Sequence, residues 1–176
     1  MAKNLEIKAY CLDLEKTESI VKEIATEYLG LDTQKDTYFF TKKGRFKLRE
    51  SSLSGSYLIP YLRPNQTEAK LSKYAKIDIQ AAETVKSLFE QLLGIQIIVK
   101  KKRAIYLYEN VRIHLDEVEG LGTFIEFEAV FDDKDDFDEE KQKEKVDYLM
   151  QKLDVKKEML IAVSYENLLM DKLAEN

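Results

Sequence analysis

Charged and apolar side chains alternate through residues 101–128, and the charged ones are of types that bind phosphate groups and metal ions. If this stretch folds as β-strands, successive side chains point to opposite faces of a sheet. Lys101 and Arg103 then share one face, and later strands add the carboxylates of Asp116, Glu126 and Glu128. Such a face is either an ordinary solvated sheet surface or the wall of a site for a polyanion together with a metal ion.

The composition limits the classes of protein to which the chain can belong. Its 176 residues are 44% hydrophobic and 35% charged, which predicts one soluble domain spanning residues 1–176. The formal net charge of −5 argues against nucleic-acid binding. The single cysteine, Cys11, excludes a disulfide framework and a cysteine-rich zinc site. No apolar run is long enough for a signal peptide or a membrane span, so we expect a cytoplasmic protein without a membrane partner.

Two hydrophobic periodicities follow one another along the chain and predict an α+β fold. About eight segments alternate with period two, mostly with short turns between them, which favours a largely antiparallel sheet. Pro60 within one of these segments indicates an edge position or a bulge. Helices must cover the apolar face of the sheet, and if the sheet closes, its ionic face lines a tunnel. The predicted helices are residues 13–29, with Gly30 as the C-cap, 81–93, 146–153 and 159–173.

The predicted ionic face combines many cations with a few carboxylates. Two cations about 6 Å apart repel by about 3 kcal/mol at an effective dielectric constant near 20, so neighbouring cations favour a bound anion. Arginine suits phosphate because of its planar fork of donors. Carboxylates beside phosphate-binding cations favour a bridging hard cation such as Mg²⁺ or Mn²⁺. The face comprises Glu6, Lys8, Lys47, Arg49, Arg63, Lys101, Arg103, Asp116, Glu126 and Glu128.

The same residues occur in ordered blocks that resemble the CYTH family, the triphosphate tunnel metalloenzymes. This family includes class IV adenylyl cyclases, thiamine triphosphatases and tripolyphosphatases. Its signature E-x-E-x-K stands here as Asn4-x-Glu6-x-Lys8. Further matching blocks are Asp36–Phe39, Lys47-Leu48-Arg49, Lys101-x-Arg103, Leu115–Gly122 and Phe124–Glu128. The segment Tyr61-Leu62-Arg63-Pro64, followed by Lys70-x-Ser72-x-Tyr74, is most similar to the bacterial class IV adenylyl cyclase subgroup.

The resemblance implies a fold and a role for each matching residue. The implied fold is an eight-stranded antiparallel β tunnel or barrel with helices packed on its outer face. The implied metal ligands for Mg²⁺ or Mn²⁺ are Glu6, Asp116, Glu126 and Glu128. A catalytic lysine–tyrosine pair, known from triphosphatase members, would match Lys8 and Tyr38. The implied triphosphate-binding residues are Lys8, Lys47, Arg49, Arg63, Lys70, Lys101 and Arg103.

The resemblance leaves three functions open. The first is a class IV adenylyl cyclase that converts ATP to cyclic AMP and pyrophosphate. The second is a triphosphatase acting on tripolyphosphate, thiamine triphosphate or a nucleoside triphosphate. The third is a polyphosphate- or nucleotide-binding module without turnover, which the replacement of the first signature Glu by Asn4 motivates, because an amide brings no charge to a metal. The oligomeric state is also open, with a homodimer as one alternative.

Overall fold

The computed structural model describes residues 2–62, 70–132 and 138–176, with side chains described for residues 5–62, 73–129 and 138–176. Nine strands and four α-helices occur in these ranges. No helix within them is both long and apolar enough to cross a bilayer. The strands are β1 Ala2–Tyr10, β2 Glu27–Phe39, β3 Arg45–Ser51, β4 Gly55–Leu62, β5 Lys70–Tyr74, β6 Ile77–Ile79, β7 Ile95–Tyr108, β8 Val111–Val118 and β9 Gly122–Asp132. The helices are α1 Leu14–Ile24, α2 Ala82–Leu93, α3 Glu139–Lys152 and α4 Tyr165–Ala174, and a single 3₁₀ turn covers Lys157–Met159.

All strand pairs are antiparallel, and the sheet closes on itself. The order is β3-β2-β7-β8-β9-β1-β5-β4-β6, and β3 also pairs with β4, which joins the two ends. β5 and β6 pair with successive parts of the same strand, β4, so they fill one position of an eight-position ring. Pro60 lies opposite the break between β5 and β6, where its carbonyl accepts from Ala75 N at 3.1 Å. The predicted eight-stranded antiparallel tunnel is therefore confirmed.

The outer face of the sheet carries the main hydrophobic core. Alternate residues of β1, β8 and β9 point outward, among them Ile7, Ile113 and Phe127, and all three are buried. Helix α1 covers them with Val21, and helix α3 covers them with Leu149. Because the period of two sends these apolar side chains outward, it sends the charged residues between them into the tunnel.

Helix α4 closes one end of the tunnel. Ser164 caps its N-terminus by accepting from Asn167 N, which satisfies one of the free amide groups there. Tyr165 is buried in a second apolar cluster together with Tyr38 of β2 and Phe124 of β9. The other end of the tunnel lies beyond the opposite end of these strands, where the side chain of Leu53 is half exposed.

Three predicted helix boundaries are wrong. Helix α3 begins at Glu139 rather than at residue 146, because Asp138 caps it by accepting from Lys141 N. Helix α1 ends at Ile24, and Tyr28 and Leu29 belong to β2. The backbone is extended from this point because it pairs with β7, where Thr26 N donates to Leu107 O at 2.7 Å. Gly30 is therefore not a C-cap; it has φ 120° at an irregularity in the β2–β7 register. The last helix begins at Tyr165, after the 3₁₀ turn, rather than at residue 159.

Candidate functional site

The inward side chains surround a cavity of about 440 Å³. Five largely buried cations from three strands line it, together with the exposed Lys76 and Arg112. Three carboxylates from β1 and β9 line the same space. The buried lining cations are Lys8, Lys47, Arg49, Lys101 and Arg103, and the lining carboxylates of these two strands are Glu6, Glu126 and Glu128. The structure thus brings together eight of the residues predicted for the ionic face.

Asp116 fixes Arg103 from behind. Its side chain is 0% exposed, and its two oxygens accept from Arg103 Nε at 2.7 Å and Nη2 at 2.6 Å. The hydroxyl of Tyr165 also donates to Asp116 Oδ2 at 2.7 Å. Burial acts to raise the pKa of Asp116, but the charges of Arg103 and Lys101 outweigh it and hold that pKa below its usual value. Asp116 therefore stays ionised and holds Arg103 at the cavity wall.

Asp36 holds two further cations, Lys47 and Arg49, at the cavity wall in the same way. It accepts from Arg49 Nε at 2.6 Å and from Lys47 Nζ at 2.8 Å. Burial opposes its ionisation, but Arg49 and Lys47 lower the pKa of Asp36 well below its usual value. Burial and the nearby charge of Arg49 lower the pKa of Lys47 to about 8, although Asp36 acts to raise it. Lys47 can therefore gain or lose a proton near neutral pH.

A third group joins β1, β8 and β9. Lys8 Nζ lies 3.1 Å from Glu126 Oε2, and His114 Nδ1 lies 3.1 Å from Glu126 Oε1. His114 Nε2 lies 3.7 Å from Glu128 Oε2, so the ring bridges the two carboxylates. Burial acts to raise the pKa of Glu126, but Lys8 and Arg103 outweigh it and lower that pKa well below its usual value. The Lys8 ammonium also lies 3.9 Å from the centre of the Tyr165 ring.

Among the buried cations of the cavity, Lys101 is the one without a carboxylate partner in the part of the chain that the structure describes. It is 7% exposed, and within the described residues it forms no salt bridge with a carboxylate. Its ammonium lies 5.1 Å from the centre of the Tyr165 ring. Burial, reinforced by the charge of Arg103, lowers the pKa of Lys101 well below its usual value. A buried ammonium in this state gains from any anion that enters the cavity.

Glu6, Glu126 and Glu128 fit a hard metal ion by their chemistry. Glu6 lies opposite Glu128 in the β1–β9 register, and the carboxylate oxygens that they supply are the ligands that Mg²⁺ and Mn²⁺ prefer. As described, residues 5–62, 73–129 and 138–176 hold no group of three His, Cys, Asp or Glu side chains already arranged around a metal position. Asp116 is absent from the cavity lining, because Arg103 covers both of its oxygens.

The structure places Tyr38 beside Lys47 rather than beside Lys8, with which the family resemblance pairs it. Tyr38 OH lies 3.4 Å from Lys47 Nζ, and burial raises the pKa of Tyr38 well above its usual value, so it is a neutral phenol. The aromatic ring beside Lys8 is that of Tyr165. Tyr38 and Lys47 lie opposite each other in the β2–β3 register, which brings the two side chains together.

Sequence reasoning missed the residues at the open end of the cavity and the tyrosine at its closed end. Asp32 and Gln34 of β2 line the open end, and their period-two spacing from Asp36 could have identified them. The signal for Tyr165 is Ser164, a favoured N-cap residue that precedes it and marks the start of a helix. Arg63 lies outside the described residues, as do the side chains of Asn4 and Lys70.

Together, the closed antiparallel sheet and its paired interior charges define a β tunnel with an ionic lumen. The CYTH domain model matches residues 2–164, and the chain belongs to that family. A Methanocaldococcus jannaschii protein described as "Putative adenylate cyclase MJ0240" is 26% identical over 169 residues, which cover 92% of this chain and 95% of that protein.

Solved structures share the fold over nearly the whole chain. The PH1012 protein of Pyrococcus horikoshii OT3 superposes with a TM-score of 0.81 at 23% identity, covering 94% of this chain and 98% of that one. A Vibrio parahaemolyticus protein described as a "putative adenylate cyclase" superposes with a TM-score of 0.74 at 19% identity, covering 95% and 97%. At these identities the two structures support the fold alone.

Proposed function

We propose that the tunnel binds a triphosphate chain with Mg²⁺ or Mn²⁺ and catalyses a reaction at one of its phosphorus atoms. The observation that carries the proposal is Lys101, a buried cation that lines the cavity and has no carboxylate partner within the described residues. Phosphate oxygens would supply the missing anion. Lys47, Arg49 and Arg103, which line the same cavity, would share the remaining charge of the triphosphate.

Two carboxylates in this scheme have positioning roles. We assign Asp36 to hold Lys47 and Arg49, and Asp116 to hold Arg103, because both aspartates lie behind their cations and outside the cavity lining. For Asp116 this replaces the metal-ligand role that the family resemblance implies. Glu6, Glu126 and Glu128 would hold the metal, which supplies charge stabilisation for the phosphate oxygens.

The reaction that we propose is the conversion of ATP to cyclic AMP and pyrophosphate. The ribose 3′-oxygen would bond to the α-phosphorus, the bond from that phosphorus to the β-phosphate oxygen would break, and pyrophosphate would leave. The 3′-hydroxyl proton would pass to water, because the ribose would lie toward the open end of the cavity and away from Lys47, which is paired with Tyr38 at the closed end. The adenylate cyclase descriptions of the relatives and the class IV resemblance of residues 61–74 support this choice.

The Tyr38–Lys47 contact favours a triphosphatase as the second candidate. A lysine–tyrosine pair is implicated in catalysis in triphosphatase members of the family, and here Tyr38 OH lies 3.4 Å from Lys47 Nζ. Water would then attack the γ-phosphorus, with Lys47 accepting its proton. Both reactions use the same cations and differ in which phosphorus atom is attacked.

Phosphorus NMR with ATP and, separately, with tripolyphosphate tests these alternatives in the presence of Mg²⁺ or Mn²⁺. Cyclic AMP with pyrophosphate supports the cyclase, and orthophosphate supports the triphosphatase. Glu126→Gln should reduce either activity at least about 100-fold, whereas Glu119→Gln, at an exposed position in the β8–β9 turn, should be unchanged. Binding of tripolyphosphate without any product identifies a binding module, and no binding at all refutes the proposal.

A further inference from the structure

The open end of the cavity has an apolar wall, unlike the ionic interior. Leu29, Leu53 and Ile105 line it, together with the ring of Tyr57. Leu53 is 51% exposed although it packs against the backbone at Gly30, where an added Cβ would lie 3.2 Å from Leu53 Cδ1. Exposed leucines at the rim of a polar cavity offer a surface for a flat apolar group of a ligand.

Asp32 fixes this wall in place. It is 2% exposed and accepts from the hydroxyl groups of Ser51 at 2.8 Å and Ser52 at 3.1 Å, and from Leu53 N at 3.3 Å. Within the described residues, Asp32 has no salt bridge, so neutral donors alone offset its charge. The turn between β3 and β4 is therefore tied to β2, and Leu53 is held over the cavity.

Gln34 presents a hydrogen-bond acceptor just inside this wall. Its Nε2 donates to Asp32 Oδ2 at 2.7 Å. Because a carboxylate only accepts, the amide cannot be reversed, and its oxygen must face away from Asp32. This Oε1 atom is buried and has no hydrogen-bond partner within the described residues. A buried amide oxygen without a donor is costly, so a donor on a ligand would be favoured at this position.

The order of residues along β2 orients a ligand in the tunnel. Gly30 and Asp32 lie toward the open end, and Tyr38 lies against the end that α4 closes. Gln34 is paired with Lys101, and Asp36, which holds Arg49, comes next. A ligand with its phosphates among the cations would therefore place its organic group between Gln34 and the apolar wall.

We propose that this end of the cavity binds a nitrogen heteroaromatic ring with an exocyclic amino group, such as adenine. The amino group donates to Gln34 Oε1, and the ring packs against Leu53 and Ile105. The inference rests on the proposed function, because the cations must hold the triphosphate of the same ligand. It makes Gln34 a specificity-determining residue for the organic group.

Equilibrium binding in EDTA, where turnover is suppressed, tests the site on the full chain. The probes are ATP, purine riboside triphosphate, which lacks only the 6-amino group, and tripolyphosphate. The wild-type protein should bind ATP about tenfold more tightly than purine riboside triphosphate. Gln34→Leu should abolish that difference and leave the tripolyphosphate affinity unchanged.

A second variant and a control keep the test independent of any folding defect in Gln34→Leu. Leu53→Ala, at a half-exposed position, should weaken ATP binding about threefold to tenfold without affecting tripolyphosphate. Leu31→Ala is the matched control, because Leu31 is equally exposed on β2 but does not line the cavity. Equal affinity of the wild-type protein for ATP and purine riboside triphosphate overturns the inference alone. Failure of tripolyphosphate to bind both in EDTA and after Mg²⁺ or Mn²⁺ is added overturns the proposed function.

Discussion

Replacing Lys101 by methionine should affect the free protein and the ligand complex in opposite directions. Lys101 is buried, and it lacks a carboxylate partner within the described residues. Each unit by which burial lowers its pKa corresponds to about 1.4 kcal/mol of free energy. An unbranched apolar side chain of similar length removes this cost, so Lys101→Met should raise the free energy of unfolding by roughly 1–3 kcal/mol. The melting temperature of a chain this size should then rise by roughly 2–10 °C.

The same substitution should weaken the binding of tripolyphosphate. A charge-assisted hydrogen bond to a phosphate oxygen contributes roughly 1.5–3 kcal/mol, so the dissociation constant should rise roughly 10- to 150-fold. Thermal unfolding without ligand and titration calorimetry with tripolyphosphate measure the two effects. Lys102→Met is the control, because Lys102 is the exposed neighbour on the opposite face of β7, and it should change neither quantity by much.

The pH dependence of the stabilisation checks its electrostatic origin. Because the folded-state pKa of Lys101 is below its ordinary value of 10.5, the unfolded chain binds more protons than the folded one. The cost of the lysine is complete below its folded pKa and disappears as the pH rises toward 10.5. The gain from Lys101→Met should therefore shrink with rising pH. A variant that is less stable than the wild type without ligand, yet binds tripolyphosphate equally well, would refute the reasoning.

Three further predictions concern the groups around the cavity. Because burial lowers the pKa of Lys47 to about 8, the binding of tripolyphosphate at that pH should take up about half a proton. Calorimetry in buffers of different ionisation enthalpy measures this uptake, and the uptake should vanish in Lys47→Met. The affinity should also fall as the pH rises through this pKa, because only the ammonium attracts phosphate. Asp116→Asn leaves buried Arg103 with only the more distant carboxylate of Glu126, at 3.4 Å, as a charged partner, so it should lower the free energy of unfolding in urea by about 3 kcal/mol. Exposed Glu117→Gln should change that free energy by less than about 0.5 kcal/mol. Tyr165→Phe keeps the ring but loses the hydrogen bond to Asp116, so it should cost about 1 kcal/mol in the same assay and leave tripolyphosphate affinity unchanged.

The sequence predicts the ionic half of the tunnel well because one physical rule decides it. In β7, β8 and β9 one face is apolar and packs against the helices. Because side chains alternate between the two faces, Lys101, Arg103 and Glu126 must point into the interior of the tunnel. The alternation of side chains does not predict whether an inward carboxylate reaches the cavity surface or lies behind an arginine. Asp116 and Glu126 both face inward, and only the three-dimensional packing of Arg103 distinguishes them.

The open end of the cavity could not be predicted from local pattern. Tyr28 and Leu29 continue the apolar stripe of α1, so helical periodicity extends into what is β2. What ends the helix is a pairing partner far along the chain, since Thr26 N donates to Leu107 O. With a helix predicted as far as residue 29, Asp32 and Gln34 fall in an apparent loop, so the local pattern does not predict that both side chains point inward.

The pairing of β1 with β9 sets the order in which the chain can complete its fold. Glu6 lies opposite Glu128, so the two strands come from distant parts of the sequence, and closing such a long loop is entropically slow. Ribosomes add roughly 5–20 residues per second, so β9 is synthesised at least several seconds after β1. During that wait the unclosed sheet exposes the cations and carboxylates of its future interior to water. Because charged surfaces resist association, the charges that would bind the triphosphate should also keep this face of the nascent chain soluble.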